Sequence, residues 1–222
     1  MSTVIFEEIA VQIPVWVTDW ESFRRWARSE DSPEEGRIGY WGEVWVDMSK
    51  EQIFSHNQVK SEYAFALMGL AKTERPGRYF TDGVLLSNEE ADLSCQPDGL
   101  YVSTEGFQSG RVRLVEGARQ GYVELEGSPE MVLEVVSDSS VDKDTEILLN
   151  RYWRASVVEY WLVDARDEEL DFRIYRHTTQ GYEAVYNPEG WPKSEVFGRS
   201  FRLSQTIDAL GHPQYLLESK VT

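Results

Sequence analysis

Three side chains of the sequence have the types needed to hydrolyse a phosphodiester bond. Asp98 follows a proline in Gln96-Pro97-Asp98-Gly99, Glu134 lies within an apolar run at residues 131–136, and Lys143 comes nine positions later. Two carboxylates held close together can bind a hard divalent cation, and a lysine beside them can meet a phosphate or a water bound to the ion. If the three side chains converge, the sequence predicts a nuclease-type site.

Each of these residues also has a simpler interpretation. Asp98 could form an Asx-type turn, and Glu134 could face solvent from an alternating strand, because an unpaired buried carboxylate is costly. Lys143 could pair with Asp142 or Asp144, since a cation is not favoured at the start of a helix. The two carboxylates could also form the acid/base pair of a hydrolase that needs no metal, as in glycosidases, where such pairs lie ~5–10 Å apart.

Four further residues are weaker candidates. Glu43 and His56 could support a metal, although a lone histidine is more often a surface or hydrogen-bonded residue. Asn150 and Arg154 follow Lys143 by seven and eleven positions. In an α-helix they share its face, which could contact a nucleic-acid backbone or simply be solvated.

The elements that must position these residues follow an α/β (α+β) pattern. A strand at residues 131–136, a helix at 142–155 and a nearly continuous apolar run at 157–163 predict a parallel strand–helix–strand unit with a right-handed crossover. The loop at 137–142 then lies at the carboxyl end of the first strand, where open α/β sheets bind ligands. Another strand, at 99–103, begins directly after Asp98, since Pro97 cannot donate to a sheet ladder.

Other elements are indicated by capping and alternation. The pattern Thr18-Asp19-Trp20-Glu21 is a capping box before a short helix, and Ser49-Lys50-Glu51-Gln52 is a second one, before a helix that runs to about Lys72. Strands are predicted at 37–41, 43–48, 79–86 with a break near Asp82-Gly83, and 197–203, with a hairpin at 170–175 and 182–186.

Composition predicts one globular domain. The chain has 222 residues, of which 41% are hydrophobic, enough for a full core. We expect an N-terminal strand and helix extension at 1–35, a core at 36–205 and a C-terminal tail at 206–222. The single cysteine, Cys95, excludes an internal disulfide and is expected to be a small buried or half-buried residue.

Charge and hydropathy limit the partners. The net charge of −17 argues against a protein that coats nucleic acid, although a cleft that binds metal ions can still attract DNA locally. No stretch approaches the ~20 apolar residues that span a bilayer. The acidic N-terminus lacks the basic region of a signal peptide. These features predict a cytoplasmic protein with no membrane partner.

On these residues the sequence resembles the Uma-type restriction endonuclease family, within the PD-(D/E)XK nuclease superfamily, from about Glu43 to Leu203. The resemblance lies in Ser55-His56-Asn57, in Pro97-Asp98-Gly99, in MVLEVVSDSS at 131–140 and in VEYWLVD at 158–164. It implies a restriction-endonuclease-like core, a mixed β-sheet flanked by helices with extra N- and C-terminal strands, and a Mg²⁺- or Mn²⁺-dependent nuclease site.

In that superfamily an Asp and a Glu bind the metal, and a lysine orients or activates the attacking water. The resemblance therefore implies that Asp98, Glu134 and the main-chain carbonyl of Val135 are ligands and that Lys143 is the catalytic lysine. The superfamily's lysine two residues after the Glu is replaced here by Val136. In much of the family that lysine lies on the following helix, where Lys143 is the nearest match.

Another common position for the lysine on that helix is Leu148 here. The leading expectation is a metal-dependent endonuclease that cleaves DNA through a metal-activated water. The alternative is a catalytically inactive nuclease fold that serves as a binding or regulatory module. Cutting both strands would favour a homodimer, since one such site serves one strand.

Overall fold

A computed structural model describes residues 2–6, 9–33, 35–167 and 169–221. The remaining positions, which include parts of the expected N-terminal extension and C-terminal tail, lie outside the described residues: Met1, Glu7, Glu8, Glu34, Glu168 and Thr222. Among the described residues, no helix has both the length and the apolar character needed to cross a membrane.

The described residues form seventeen strands: β1 (Ser2–Phe6), β2 (Ile9–Ile13), β3 (Arg37–Tyr40), β4 (Val44–Asp47), β5 (Gly77–Thr81), β6 (Leu85–Asn88), β7 (Leu93–Cys95), β8 (Gly99–Ser103), β9 (Val112–Glu116), β10 (Tyr122–Gly127), β11 (Met131–Val135), β12 (Glu159–Asp164), β13 (Asp171–Thr178), β14 (Gly181–Ala184), β15 (Lys193–Ser194), β16 (Arg199–Ile207) and β17 (Pro213–Val221). They also form four α-helices: α1 (Trp20–Ala27), α2 (Val59–Thr73), α3 (Thr104–Gln108) and α4 (Leu148–Arg154). A first π-helical segment (Ile53–Gln58) directly precedes α2, and a second (Lys143–Ile147) directly precedes α4.

The central sheet is mixed and carries the predicted site residues. Its strand order is β14-β13-β12-β11-β8-β5. The strand β11 pairs parallel with β12 and antiparallel with β8, and the second π-helical segment and α4 connect β11 to β12. The predicted strand–helix–strand unit is therefore confirmed. Leu133 lies opposite Gly99 in the register. Asp98 and Glu134 thus come at matching positions on neighbouring strands.

Side chains of β11 alternate between two apolar clusters because both faces of the central sheet are covered. Leu133 and Val135 pack with α2 and the C-terminal strands. Val132 and Val136 pack with Tyr152 on α4. Glu134 has the same parity as these two valines, so its carboxylate enters the space beneath α4.

A second six-stranded sheet has the order β4-β3-β7-β6-β10-β9. The break predicted near Asp82-Gly83 is real, and it moves the chain from the central sheet to this one. Gly83 has a φ of 89°, a conformation that glycine adopts without steric cost. The helix α1 packs on this sheet, and its N-cap is Asp19 in a reciprocal pair with Ser22. The box predicted at Thr18 is thus displaced by one residue.

Most of the described part of the expected C-terminal tail, residues 206–221, is strand. The strand β17 pairs with β16 over nine positions, from Arg199 opposite Val221 to Ile207 opposite Pro213. Alternate side chains of β17 enter the core, because Tyr215 is 7% exposed whereas Leu216 is 55% exposed. The strand also packs against the first π-helical segment.

The capping box predicted at Ser49 does not form, and the helix begins as a π-helix at Ile53. The Ser49 hydroxyl lies 3.0 Å from that of Ser139, and the Gln52 side-chain amide donates to Asp138 at 3.1 Å. These two side chains hydrogen-bond to the polar loop after β11 and not to the free main-chain N–H groups at the start of the helix. The segment before the helix is thereby tied to the loop that follows Glu134.

Candidate active site

Asp98 lies directly before β8 and is held by a contact across the strands. Its Oδ2 accepts a hydrogen bond from the main-chain N–H of Val135 at 2.7 Å, and its Oδ1 lies 3.0 Å from Nη2 of Arg37. Burial acts to raise the pKa of this carboxyl, but the approach of His56 and the charge of Arg37 hold it well below its usual range. Asp98 is therefore an anion in a site from which water is largely excluded.

Glu134 is 1% exposed, which excludes the solvent-facing interpretation. The hydroxyl of Tyr152 donates to its Oε1 at 2.6 Å, and Nζ of Lys143 lies 3.5 Å from its Oε2. Burial raises the pKa of Glu134 to about 8; the cation of Lys143 opposes this shift, and the charges of Asp144 and Asp98 add to it. The carboxyl is thus held between one cation and two further acids.

Lys143 begins the second π-helical segment, and its ammonium group points into the same space. Its Nζ lies 2.5 Å from Oδ1 of Asp144 and 5.4 Å from the ring centroid of Trp45. Burial opposes it, but the charges of Glu134 and Asp144 raise the pKa of Lys143 above its ordinary value. The pairing with Asp144 and the approach to Glu134, considered from the sequence as alternatives, are therefore present together. We refer to Asp98, Glu134 and Lys143 as the acidic site.

Two further cations approach Asp98 from other elements. Arg37 on β3 and Lys60 on α2 both contact Asp82, at 3.0 and 2.6 Å. Nζ of Lys60 also lies 3.7 Å from Oδ1 of Asp98. This cluster could not be predicted from local sequence, because its members are far apart along the chain. The one local signal is that Lys60 follows His56 by four positions, a spacing that places two side chains on one helical face.

His56 bridges two carboxylates. Its Nδ1 lies 2.7 Å from Oε1 of Glu51, and its Nε2 lies 3.5 Å from Oδ2 of Asp98. The second distance is long for a hydrogen bond, so this attraction is mainly between charges. Burial acts to lower the pKa of His56, but Asp98 and Glu51 together raise it above its usual value. The predicted supporting histidine is thus brought to the site, and its surroundings favour the protonated ring.

The other predicted supporting residues are not brought there. Glu43 is exposed in the turn before β4, and no ion pair within the described residues joins it to the acidic site. Asn150 and Arg154 are exposed, whereas Lys143 is buried, so the shared helix face was a wrong prediction. The physical reason is the second π-helical segment, whose wider turn rotates every later residue relative to Lys143.

Two residues weighed for the lysine role lie in the core. Val136 and Leu148 are 1% and 0% exposed and pack in the apolar cluster beneath α4. A charged side chain at either position would be buried among aliphatic groups. The ammonium group in the acidic site is instead supplied by Lys143.

The donor groups of the acidic site fit a hard divalent cation. Mg²⁺ typically binds through one or two carboxylates together with water and substrate phosphate. The buried Oδ1 of Asp98 accepts no hydrogen bond from the described residues, and the pKa of Glu134 is raised by burial, to which the charges of Asp144 and Asp98 add. Both features would be relieved by a cation. Within residues 2–6, 9–33, 35–167 and 169–221, no group of three or more His, Cys, Asp or Glu side chains forms a metal cage.

A main-chain oxygen can complete such a donor set. The N–H of Val135 points to Asp98, and in an extended strand the carbonyl of the same residue points to the same side. Continuing the β8–β11 register by two positions sets Val135 opposite Pro97, which has no N–H to donate. The ladder therefore leaves this carbonyl free on the side of the acidic site.

The fold is similar to that of a solved structure. A crystal structure from Anabaena variabilis, described as "a putative nuclease belonging to DUF820", superposes with a TM-score of 0.56 at 17% identity, covering 81% of this chain and 90% of that one. At this identity the similarity establishes the fold alone. No functionally curated protein matches the chain.

The family is established by the sequence. The model of the Uma2 family, described as "Putative restriction endonuclease", matches residues 20–206. The chain belongs to this family.

Proposed function

We propose that the protein is a Mg²⁺- or Mn²⁺-dependent endonuclease that hydrolyses DNA phosphodiester bonds. The observation that carries this proposal is the meeting of two buried carboxylates and a lysine, Asp98, Glu134 and Lys143, at the carboxyl end of β11. Membership of a family described as restriction endonucleases supports it. Carboxylate and main-chain oxygens are the ligands that a hard cation prefers, and this preference supports the proposed dependence on metal.

In this proposal Asp98, Glu134 and the carbonyl of Val135 hold the ion. When bound, the ion would act as a Lewis acid toward the phosphate and lower the pKa of the attacking water. Asp98 is already ionised, whereas Glu134, with a pKa of about 8, must release its proton. The hydroxyl of Tyr152 fixes one oxygen of Glu134 and leaves the other facing Lys143.

Lys143 acts as a fixed positive charge. Because the pKa of Lys143 is raised, its ammonium group keeps its proton and is a poor general base. Its role is to orient water and to stabilise the negative charge that develops on the phosphate. Asp144 holds the ammonium group from one side and thereby fixes its direction.

The proposal is tested by cleavage of supercoiled plasmid with Mg²⁺, with Mn²⁺ and with chelator. Wild type should nick or linearise the plasmid only with metal, and Asp98→Asn should lose more than about 100-fold in rate. Glu183→Gln, an acid-to-amide change on the exposed part of β14, is the matched control and should keep full activity. Full metal-dependent cleavage by Asp98→Asn would disprove the assignment.

One observation favours a second candidate, a nuclease fold that binds without cleaving. Asp98 is already compensated by protein cations, including Arg37 and Lys60, and the usual lysine position holds Val136. Such a protein would bind metal or DNA but leave plasmid, single-stranded and branched DNA intact. Full loss of plasmid cleavage in chelator would exclude a metal-independent acid/base mechanism for that cleavage.

A further inference from the structure

A cavity of about 660 Å³ has Glu51, a contact of His56, in its wall. It lies between the first π-helical segment, the chain after β12, and the β16–β17 hairpin. Its walls include Phe54, Gln52, Arg166, Gln205 and Tyr215. We call it the Phe54 pocket. The volume is in the range that encloses small organic ligands.

The pocket is joined to the acidic site by two short chains of contacts. Glu51 also lines the pocket and contacts His56, whose other ring nitrogen faces Asp98. On the second side, Gln52 and Arg166 both contact Asp138 in the loop after β11. A ligand in the pocket would therefore be separated from Asp98 by two side chains, Glu51 and His56, at the carboxyl ends of β11 and β12.

The walls of the pocket combine flat rings with amide groups. The ring of Phe54 stacks on the imidazole of His212, with centroids 4.6 Å apart and planes 16° from parallel. Tyr215 forms a buried wall, while Gln52 and Gln205 contribute side-chain amides. Stacking on a planar heteroaromatic ring together with amide hydrogen bonds is the chemistry that recognises a nucleobase.

The charge of the protein points to the same class of ligand. A duplex is bound mainly through its phosphates, which requires many free cations. The net charge here is −17, and Arg166 at the pocket is already paired with Asp164 and Asp138. Stacking of an unpaired base on an aromatic ring adds to the affinity for a single strand, and the stacking itself requires no positive charge.

We propose that the Phe54 pocket binds the base of an unpaired nucleotide next to the phosphate at the acidic site, so that the preferred substrate is single-stranded or locally open DNA. The inference rests on the proposed function, which supplies the neighbouring phosphate. The base stacks against Phe54 and takes hydrogen bonds from the amide-bearing walls. An intact duplex keeps its bases paired and gains nothing from the pocket.

The test is direct binding in chelator, where no cleavage occurs. A short single strand that contains 2-aminopurine, a fluorescent adenine analogue, is titrated with wild type, Phe54→Leu and Tyr186→Leu. Tyr186 is an aromatic residue 85% exposed and outside the pocket, so it is the matched control. Wild type should quench the fluorophore, Phe54→Leu should weaken binding by about tenfold, and Tyr186→Leu should bind as wild type.

Equal binding by wild type and Phe54→Leu would overturn the inference, and so would an intact duplex that binds as tightly as the single strand. Absence of single-strand binding by wild type would overturn it too. A thermal unfolding measurement checks that the Phe54→Leu variant is folded. Plasmid cleavage, measured separately, distinguishes the two proposals. If wild type quenches the fluorophore but cleaves no plasmid, the proposed function is wrong and the base pocket stands. If wild type cleaves plasmid but Phe54→Leu quenches as strongly as wild type, the base pocket is wrong and the proposed function stands.

Discussion

At the scale of single residues, Glu134 links the acidic site to the stability of the fold. Its pKa is about 8, against 4.5 for an unperturbed glutamate, because the side chain is buried. The folded state therefore holds the proton more tightly than the unfolded chain. The stability that Glu134 contributes is fully present below pH about 4.5 and is lost as the pH rises through about 8.

Replacement by an amide should remove this dependence. The free energy of unfolding of Glu134→Gln, measured by urea titration without metal, should gain on wild type as the pH is raised from about 5 to about 9. Glu183→Gln, at an exposed position, should track wild type throughout. A constant difference between Glu134→Gln and wild type across this range would show that Glu134 has an ordinary pKa.

The structural and chemical roles of Lys143 can be separated by a double variant. Lys143→Met leaves Asp144 and Glu134 buried without their cation and should cost about 3–5 kcal/mol in stability. Adding Asp144→Asn removes one uncompensated charge and should restore much of that stability. Cleavage should remain absent in the double variant. Recovery of cleavage together with stability would mean that Lys143 is only structural.

A residue of the site could be predicted where its neighbours in the sequence indicate its position, and not where it reaches the site through tertiary packing. Asp98 and Glu134 were found because a proline and an apolar run marked their positions beside strands. Arg37 and Lys60 were missed, since they reach Asp98 through the packing of β3 and α2 against the central sheet. Asp144 was considered only as a surface partner of Lys143, and its burial arises from the placement of the second π-helical segment.

At the scale of elements, each π-helical segment contributes one nitrogen-bearing side chain to the surroundings of the two carboxylates. His56 lies in the first segment and Lys143 begins the second. A π-turn holds one residue more than an α-turn, and such turns are frequent at functional sites. The wider turn allows Lys143 and Asp144, although consecutive, both to be buried.

Deletion of Thr145 should convert the second segment into an α-helix. Thr145 is exposed, so its loss removes one residue from the turn and little buried surface. The deletion should redirect Lys143 and abolish cleavage while circular dichroism stays close to that of wild type. Thr145→Ala, which keeps the turn, should retain activity. Activity in the deletion variant would show that the π-turn does not set the direction of the lysine.

The elements predicted best were those with uniform apolar character. The strands at 99–103, 131–136 and 157–163 are buried over most of their length and were predicted to within about two residues of their ends. The strand β10 was missed because Glu124 and Glu126 give it a polar sequence, and their charges are compensated by Arg24 from α1. Such compensation is a tertiary effect that local sequence does not reveal.

At the scale of the whole molecule, the charge of −17 would limit how the proposed DNA substrate binds. The cations in and around the acidic site, including Arg37, Lys60 and Lys143, are already paired with carboxylates, so few counterions would be released from DNA. The logarithm of the single-strand affinity should therefore fall against the logarithm of salt concentration with a slope shallower than about −1.5, which corresponds to about two phosphate contacts. Fluorescence anisotropy across a salt series measures it, and a slope steeper than about −4 would indicate phosphate-dominated binding.

The single thiol of the protein is placed to report how often the site opens. Cys95 is 4% exposed, its Sγ lies 3.2 Å from the hydroxyl of Tyr152, and burial raises its pKa to about 12. An alkylating reagent can react with Cys95 only when the structure between β7 and α4 opens, so the alkylation rate measures how often that opening occurs. Tyr152 also donates to Glu134, and an ion bound at Glu134 should therefore lower the alkylation rate. Mass spectrometry of a timed reaction, with and without Mg²⁺, would read this motion without any substrate.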